Sequence, residues 1–167
     1  MDRLYAPWRQ TYVKGLVKKK TGCVFCDIRE DTRRDAKTYV ICRREHAYLV
    51  LNLYPYTNGH MLILANRHVK DTSALRKAER EDFYGLLEIG KQLLKDVFQP
   101  EGFNVGMNIG KAAGAGIPGH VHMHLVPRWR GDVNFFPITV DTKIISLPMD
   151  KVYKQLLHAY KKRYRNV

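Results

Sequence analysis

Apolar positions along the chain change period several times, and the changes mark its elements. Tyr39-Val40-Ile41-Cys42 and Tyr48-Leu49-Val50-Leu51-Asn52 read as strands. Pro55 to Gly59 punctuate a turn, and His60-Met61-Leu62-Ile63-Leu64 forms a third run; short apolar runs bounded by turn residues are strand signals. Over 79–98 the period lengthens, with Phe83, Leu86, Leu87, Gly90, Leu94 and Val97 at helical spacing. Pro100 and Gly102 stop that helix. Phe103 to Ile109 reads as a fourth strand, Lys111 to Gly119 as a Gly/Ala-rich loop, and His120 to Val126 as a fifth strand. Asp150 to Arg165 is a second amphipathic helix, with Val152, Leu156, Tyr160 and Tyr164 on one side. Residues 14–37 are the most polar block and read as an irregular arm carrying a small knuckle. Strands joined by short loops are antiparallel neighbours, so the expected class is α+β, a sheet carrying two helices.

The length of 167 residues suits one domain, 1–167, with a core large enough to need no disulfide staples. Within it, 1–37 is a basic arm, 38–137 the core, and 138–167 an extension carrying the basic helix. The longest clean apolar stretch, Met61-Leu62-Ile63-Leu64-Ala65, is far short of the ~20 residues of a membrane span. The start, Met1-Asp2-Arg3-Leu4-Tyr5, lacks the apolar segment of a secretory signal, so the expected location is cytoplasmic. Lys and Arg number 29 against 16 Asp and Glu, a net charge of +13, which attracts polyanions without saying which. The three cysteines, at 23, 26 and 42, are an odd number, and two form C-x-x-C. That argues against a disulfide framework and for a metal or redox site.

The most informative residues are His120-Val121-His122-Met123-His124-Leu125-Val126. A strand alternates faces, so His120, His122 and His124 share one face and Val121, Met123 and Leu125 the other. The imidazoles would stand roughly 6–7 Å apart at ~3.3 Å rise per residue. Adjacent imidazolium ions repel, so proximity favours neutral rings. A neutral imidazole is a nucleophile, a base or a metal ligand, and a three-histidine zinc site is the competing reading. The adjoining Gly110-Lys111-Ala112-Ala113-Gly114-Ala115-Gly116 lets backbone N–H groups approach anionic oxygens, but lacks the residue order of a P-loop.

The alternation of histidine and apolar residues resembles the signature of the histidine-triad (HIT) superfamily of nucleotidyl hydrolases and transferases. The resemblance extends to Asn52-Leu53-Tyr54-Pro55 with Gly59-His60, to Phe103-Asn104-Val105-Gly106-Met107-Asn108, and to Pro127-Arg128-Trp129 with Gly131-Asp132-x-Asn134-Phe135. The last run, with Leu4-x-x-Pro7-Trp8-Arg9-x-x-Tyr12, is similar to the fragile-histidine-triad and bacterial diadenosine-tetraphosphate phosphorylase branches. It implies a five-stranded antiparallel sheet with two helices, paired as a homodimer through the long helix and a strand. It implies cleavage of dinucleoside polyphosphates at the α-phosphorus through a nucleotidyl-histidine, with water or phosphate as acceptor. By motif position His122 resembles the nucleophile. His120 and His124 would bind phosphate oxygens or fix its tautomer, with His60 in support. Asn52 would hold the ribose hydroxyls and Asn108 would sit beside the phosphates. Arg128 and Lys111 would reach distal phosphates. Many members carry Gln or Ser four residues before the first histidine; here that residue is Gly116, whose backbone N–H would substitute.

Taken alone, Cys23-Val24-Phe25-Cys26 is half a zinc site, a redox pair or chance. Bacterial members of the superfamily resemble a fuller arrangement, which here would be zinc on Cys23, Cys26, His68 and His120. Two alternative functions follow from the same residues: a purine nucleoside phosphoramidase of the superfamily, or a zinc-bearing nucleic-acid-binding module using the basic charge and Tyr153, Tyr160 and Tyr164. Uridylyl transfer to a sugar phosphate fits less well, because Val121 and Met123 stand where that branch carries another pattern. Nucleotide is the expected partner; nucleic acid is the less favoured one, and a membrane is not expected.

Overall fold

The computed structural model describes residues 22–132 and 147–164. The Leu4-to-Tyr12 run, Lys18 to Lys20, Asn134, Phe135, the boundary at 137/138 and Arg165 lie outside the described residues. Five strands form one sheet: β1 (Val40–Arg43), β2 (Ala47–Leu51), β3 (Met61–Ala65), β4 (Gly102–Gly106) and β5 (His122–Arg128). Their spatial order is β1-β2-β3-β5-β4 and every pairing is antiparallel. Helices α1 (Val24–Glu30), α2 (Asp35–Thr38), α3 (Lys77–Phe98) and α4 (Met149–Tyr164) complete the described fold.

The central strands are buried throughout: every residue of β2 and β3 is buried. Both faces of the sheet are therefore covered, which explains why β3 reads as a continuous apolar run rather than an alternation. One face carries Ile41, Leu49, Leu51, Met61, Ile63, Met123 and Leu125 against α3 and α4. Leu86, Leu93 and Leu94 of α3 are fully buried there, each contributing roughly 2 kcal/mol by removal from water. Gly90 lets α3 approach the sheet closely: a Cβ there would stand 2.8 Å from Leu125 Cδ2. The helix starts at Lys77, two residues before the periodicity becomes visible. Glu79 explains this, since its carboxylate accepts from the Arg76 N–H (2.6 Å) and from the Arg67 guanidinium. The Arg76 backbone N–H at the helix start is thereby satisfied, and the Arg67 pair ties that start to the loop after β3.

The opposite face carries Val40, Tyr48, Val50, Leu62 and Leu64 under Phe25. Here the structure departs from an irregular arm and from two helices. Residues 24–30 form α1, a seven-residue helix with no side-chain N-cap. So short a helix is marginal alone; tertiary contacts hold it. Tyr48 Oη donates to Phe25 O (2.7 Å), and Arg43 Nη2 donates to Ile28 O (2.7 Å).

α4 buries Val152, Tyr153 and Leu156, with Tyr160 and Tyr164 packed partly against the same core. Tyr153 Oη donates to Val40 O (3.1 Å). Tyr153 is a core residue and Tyr160 and Tyr164 pack partly on that core, a packing use of positions that a nucleic-acid module would need for base stacking. No helix among the described residues is long and apolar enough to cross a membrane.

Candidate active site and metal cluster

The turn between β2 and β3 places the first histidine. Gly59 has a φ of +80°, and a Cβ there would stand 2.7 Å from Leu94 Cδ2. Only glycine satisfies both the left-handed backbone and the close approach to α3. The next residue, His60, is then fully buried. Its Nδ1 accepts from the Tyr56 backbone N–H (3.1 Å) and faces Asn52 Nδ2 (3.2 Å). Because Nδ1 accepts, the proton of the neutral ring resides on Nε2. That Nε2 lies 2.9 Å from His124 Nδ1, so His60 donates to His124 and the His124 proton resides on its own Nε2.

His122 reaches a fixed tautomer by a different route. Its Nδ1 lies 2.9 Å from the carbonyl oxygen of His120. A carbonyl can only accept, so Nδ1 carries the proton and Nε2 keeps its lone pair. The expected support of His122 by His60 is therefore corrected: His60 orders His124, and the His120 backbone orders His122. The rings of His122 and His124 lie 5.0 Å apart. Among the described residues no side-chain nitrogen or oxygen is both sealed from solvent and unpartnered. His122 Nε2 and His124 Nε2, which make no internal hydrogen bond, therefore open onto solvent. One offers a lone pair and the other a proton, side by side.

His120 is placed differently from its two companions. It precedes β5, is buried, and its Nε2 lies 2.8 Å from Ala65 O. Nε2 thus donates, leaving the Nδ1 lone pair aimed at Cys23 Sγ (3.4 Å) and Cys26 Sγ (3.6 Å). Cys26 Sγ also lies 3.4 Å from His68 Nδ1. Ligand atoms of Cys23, Cys26, His68 and His120 all lie within 4.8 Å of one another. Tetrahedral zinc with bonds of ~2.3 Å to sulfur and ~2.0 Å to nitrogen puts sulfur and nitrogen ligands about 3.5 Å apart. The donor set and its spacing fit a metal ion. The Val121 N–H bond to Val69 O (2.6 Å) draws the His68 loop to β5. Gly119 leaves room for the His68 ring, whose Nε2 would lie 3.3 Å from a Cβ there.

Phe25, between the two cysteines, carries the cluster to the catalytic face. Its ring stands 5.6 Å from that of His120 and 5.1 Å from that of His122. Ile117 of the Gly-rich loop packs against the apolar group of Phe25, Tyr48 and Leu62 beneath it. Asn108 Nδ2 donates to Ala113 O (2.7 Å), closing that loop, on which Lys111 and Gly116 are exposed. Arg128 is committed elsewhere. It holds Asp132 through Nε and Nη2 and donates Nη1 to Asn104 Oδ1 (2.6 Å), tying β4 to the end of β5. Sequence reasoning passed over Phe25 and Tyr56. The only signal for either was an aromatic residue inside a motif of another chemistry.

Burial holds His120 and His122 below the ordinary imidazole range. Burial, reinforced by neighbouring His122, pushes His124 down to about 4. Arg67 hydrogen bonding holds Glu79 at about 2. In the unfolded chain histidine takes up protons near pH ~6.5, so between that value and about 4 the unfolded state binds more protons. His124 therefore contributes stability that is intact above pH ~6.5 and lost as pH falls toward 4. The Glu79 contribution is intact above its ordinary 4.5 and lost as pH falls toward 2. Urea melts from pH 7 to 3 are expected to show stability falling from about pH 6.5 downward. Unchanged stability between 6.5 and 4.5 would contradict a buried, neutral histidine cluster.

A family model described as the HIT domain matches residues 33–131. A protein named AP-4-A phosphorylase from Mycobacterium tuberculosis is 34% identical over 150 residues, spanning 87% of this chain and 77% of that protein. A bis(5'-adenosyl)-triphosphatase from Saccharomyces cerevisiae is 30% identical over 92 residues, 54% of this chain and 44% of that protein. Among solved structures, a Zn-bound histidine triad family protein from Mycobacterium smegmatis superposes with a TM-score of 0.70. It is 23% identical and covers 89% of this chain and 100% of its own.

Proposed function

Because this chain belongs to the HIT domain family, we propose that it is an enzyme cleaving dinucleoside polyphosphates, such as diadenosine tetraphosphate, at an α-phosphorus through a nucleotidyl-histidine. The relatives named as an AP-4-A phosphorylase and a bis(5'-adenosyl)-triphosphatase support the substrate class. The observation that carries the mechanism is the pair of opposite tautomers at His122 and His124. His122 Nε2 attacks the α-phosphorus, and the bond from phosphorus to the bridging oxygen breaks. The electron pair leaves with the departing nucleotide as a terminal phosphate. A terminal phosphate has a second pKa near ~6, so it departs as an anion and needs no full proton transfer. His124 Nε2–H donates a hydrogen bond to the oxygen on which charge develops, a preorganised donor of the kind that stabilises transition states. The nucleotidyl ring keeps its Nδ1 proton on the His120 carbonyl, which disperses the positive charge gained at nitrogen. Water or inorganic phosphate then attacks phosphorus, the phosphorus–nitrogen bond breaks, and His122 recovers its lone pair; when water is the acceptor, its proton passes to solvent.

Asn52 holds the ribose hydroxyls in this reading, and Asn108 with the Gly116 backbone borders the phosphates. Cys23, Cys26, His68 and His120 would hold zinc, the metal named for the M. smegmatis structure. Zinc, when bound there, supplies a fixed tetrahedral tie between α1 and the sheet. The homodimer belongs to the same reading, supported by the edge position of β4 with Asn104, Val105 and Gly106 exposed.

The test is incubation with diadenosine tetraphosphate, with and without inorganic phosphate, and resolution of the products. ADP plus ATP, formed only with phosphate, identifies a phosphorylase. AMP plus ATP without phosphate identifies a hydrolase. No turnover in either arm contradicts the proposal, and turnover of adenosine phosphoramidate alone would support the phosphoramidase instead.

A further inference from the structure

The aromatic ring of Tyr56 has no part in the chemistry described above, yet it lies over the hydrogen bond on which that chemistry depends. Its centroid is 4.7 Å from that of His60 at an interplanar angle of 31°, and 6.0 Å from that of His124 at 18°. One ring thus lies against both partners of the His60–His124 bond. The backbone of the same residue fixes the polarity of that bond, because the Tyr56 N–H donates to His60 Nδ1 at 3.1 Å. Tyr56 is itself 47% exposed, whereas His60 is fully buried. The ring therefore covers one side of the His60–His124 contact. A hydrogen bond screened from water is electrostatically stronger and less open to competition by water.

We propose that Tyr56 is a positioning residue for the transfer reaction. Its N–H sets the His60 tautomer, and its ring keeps water from the His60–His124 bond, so that His124 presents a single Nε2–H to the departing oxygen. Without the ring, water competes for His60 Nε2–H and His124 Nδ1. His124 then samples both tautomers and two orientations, and the donor is in place for only part of the time. The role proposed here belongs to the ring and the backbone N–H, both of which phenylalanine keeps. Among the described residues, the rings facing His124 are those of His60 from the β2–β3 turn, His122 from its own strand and Tyr56. The inference rests on the function proposed above only for its kinetic part.

The experiment compares wild type, Tyr56→Phe and Tyr56→Ala, each in the metal-loaded protein. Its first readout is nitrogen-15 NMR of the histidine rings in water, which reports tautomers and exchange of ring N–H protons without reference to any substrate. Wild type and Tyr56→Phe are expected to show a slowly exchanging His60 Nε2–H and one tautomer of His124. Tyr56→Ala is expected to show exchange at least about tenfold faster and a mixed His124 tautomer. Its second readout is turnover of diadenosine tetraphosphate, where Tyr56→Ala should lower kcat about tenfold with little change in KM, and Tyr56→Phe should restore it. Such a loss is the usual scale for disturbing one preorganised donor without removing it. Unchanged ring exchange and tautomer in Tyr56→Ala would overturn the proposal. So would a kcat loss that Tyr56→Phe fails to restore. Tautomer changes as expected in a protein that turns over no dinucleotide would leave the positioning role standing and remove the function proposed for it.

Discussion

His122→Ala is expected to lower turnover of diadenosine tetraphosphate by at least about a thousandfold, since removal of a nucleophile abolishes the covalent route. The fold should survive. Among the described residues the His122 ring hydrogen-bonds only to the His120 carbonyl, and its ring neighbour Phe25 is anchored independently through the Tyr48 hydroxyl. Circular dichroism and thermal melting of the variant check that point, and steady-state kinetics check the loss. His124→Ala should cost less, about a hundredfold, because it removes a stabilising donor and leaves the nucleophile. The order of the two losses matters more than either size. A His122→Ala protein retaining a tenth of wild-type turnover, or one more active than His124→Ala, would reverse the assigned roles.

Removal of the metal cluster should have the second largest effect, and on stability first. Cys26→Ser is expected to abolish the bound zinc measured by elemental analysis and to lower Tm by about 10 °C. A metal tie worth about 3 kcal/mol, well below the full binding energy of a structural zinc site, gives a shift of that size in a chain of this length. α1 lacks a side-chain N-cap and is too short to stand alone, so without the metal the Tyr48 and Arg43 hydrogen bonds are left to hold it. His68→Ala should lose the metal as well, while sparing the hydrogen bond of His120 to Ala65 O. Burial, with the neighbouring Cys23 thiol, pushes the Cys26 thiol up to about 11. Metal binding at neutral pH must therefore release that proton, and apparent affinity should weaken as pH falls. Undiminished zinc in His68→Ala would remove that residue from the cluster.

Much of this architecture was readable from residue pattern alone. β2, β3 and the long helix announce themselves by period and by Gly59, Pro100 and Gly102. The shared face of His122 and His124 follows from strand alternation. The limits are equally physical. α1 has no local signal because its stability comes from Tyr48 and Arg43, which are distant in sequence. Arg128 looks free in sequence; Asp132 and Asn104 occupy it in space. His120 looks like the first of three equal histidines, and alternation cannot show that its ring turns to the cysteines. Its carbonyl, invisible to any motif, orders the His122 ring. The Tyr56 ring is hidden for the same reason, since stacking across a turn leaves no periodic trace.

The most direct test of the central claim is capture of the covalent intermediate. Wild-type protein is mixed with diadenosine tetraphosphate, quenched within the first turnover, digested and analysed by mass spectrometry. One adenylyl group on the peptide containing His122, localised to that ring by fragmentation and absent from His122→Ala, is the expected result. An adenylyl group on another residue would contradict the account, as would rapid turnover with no adduct and inverted configuration at an isotopically labelled α-phosphorus.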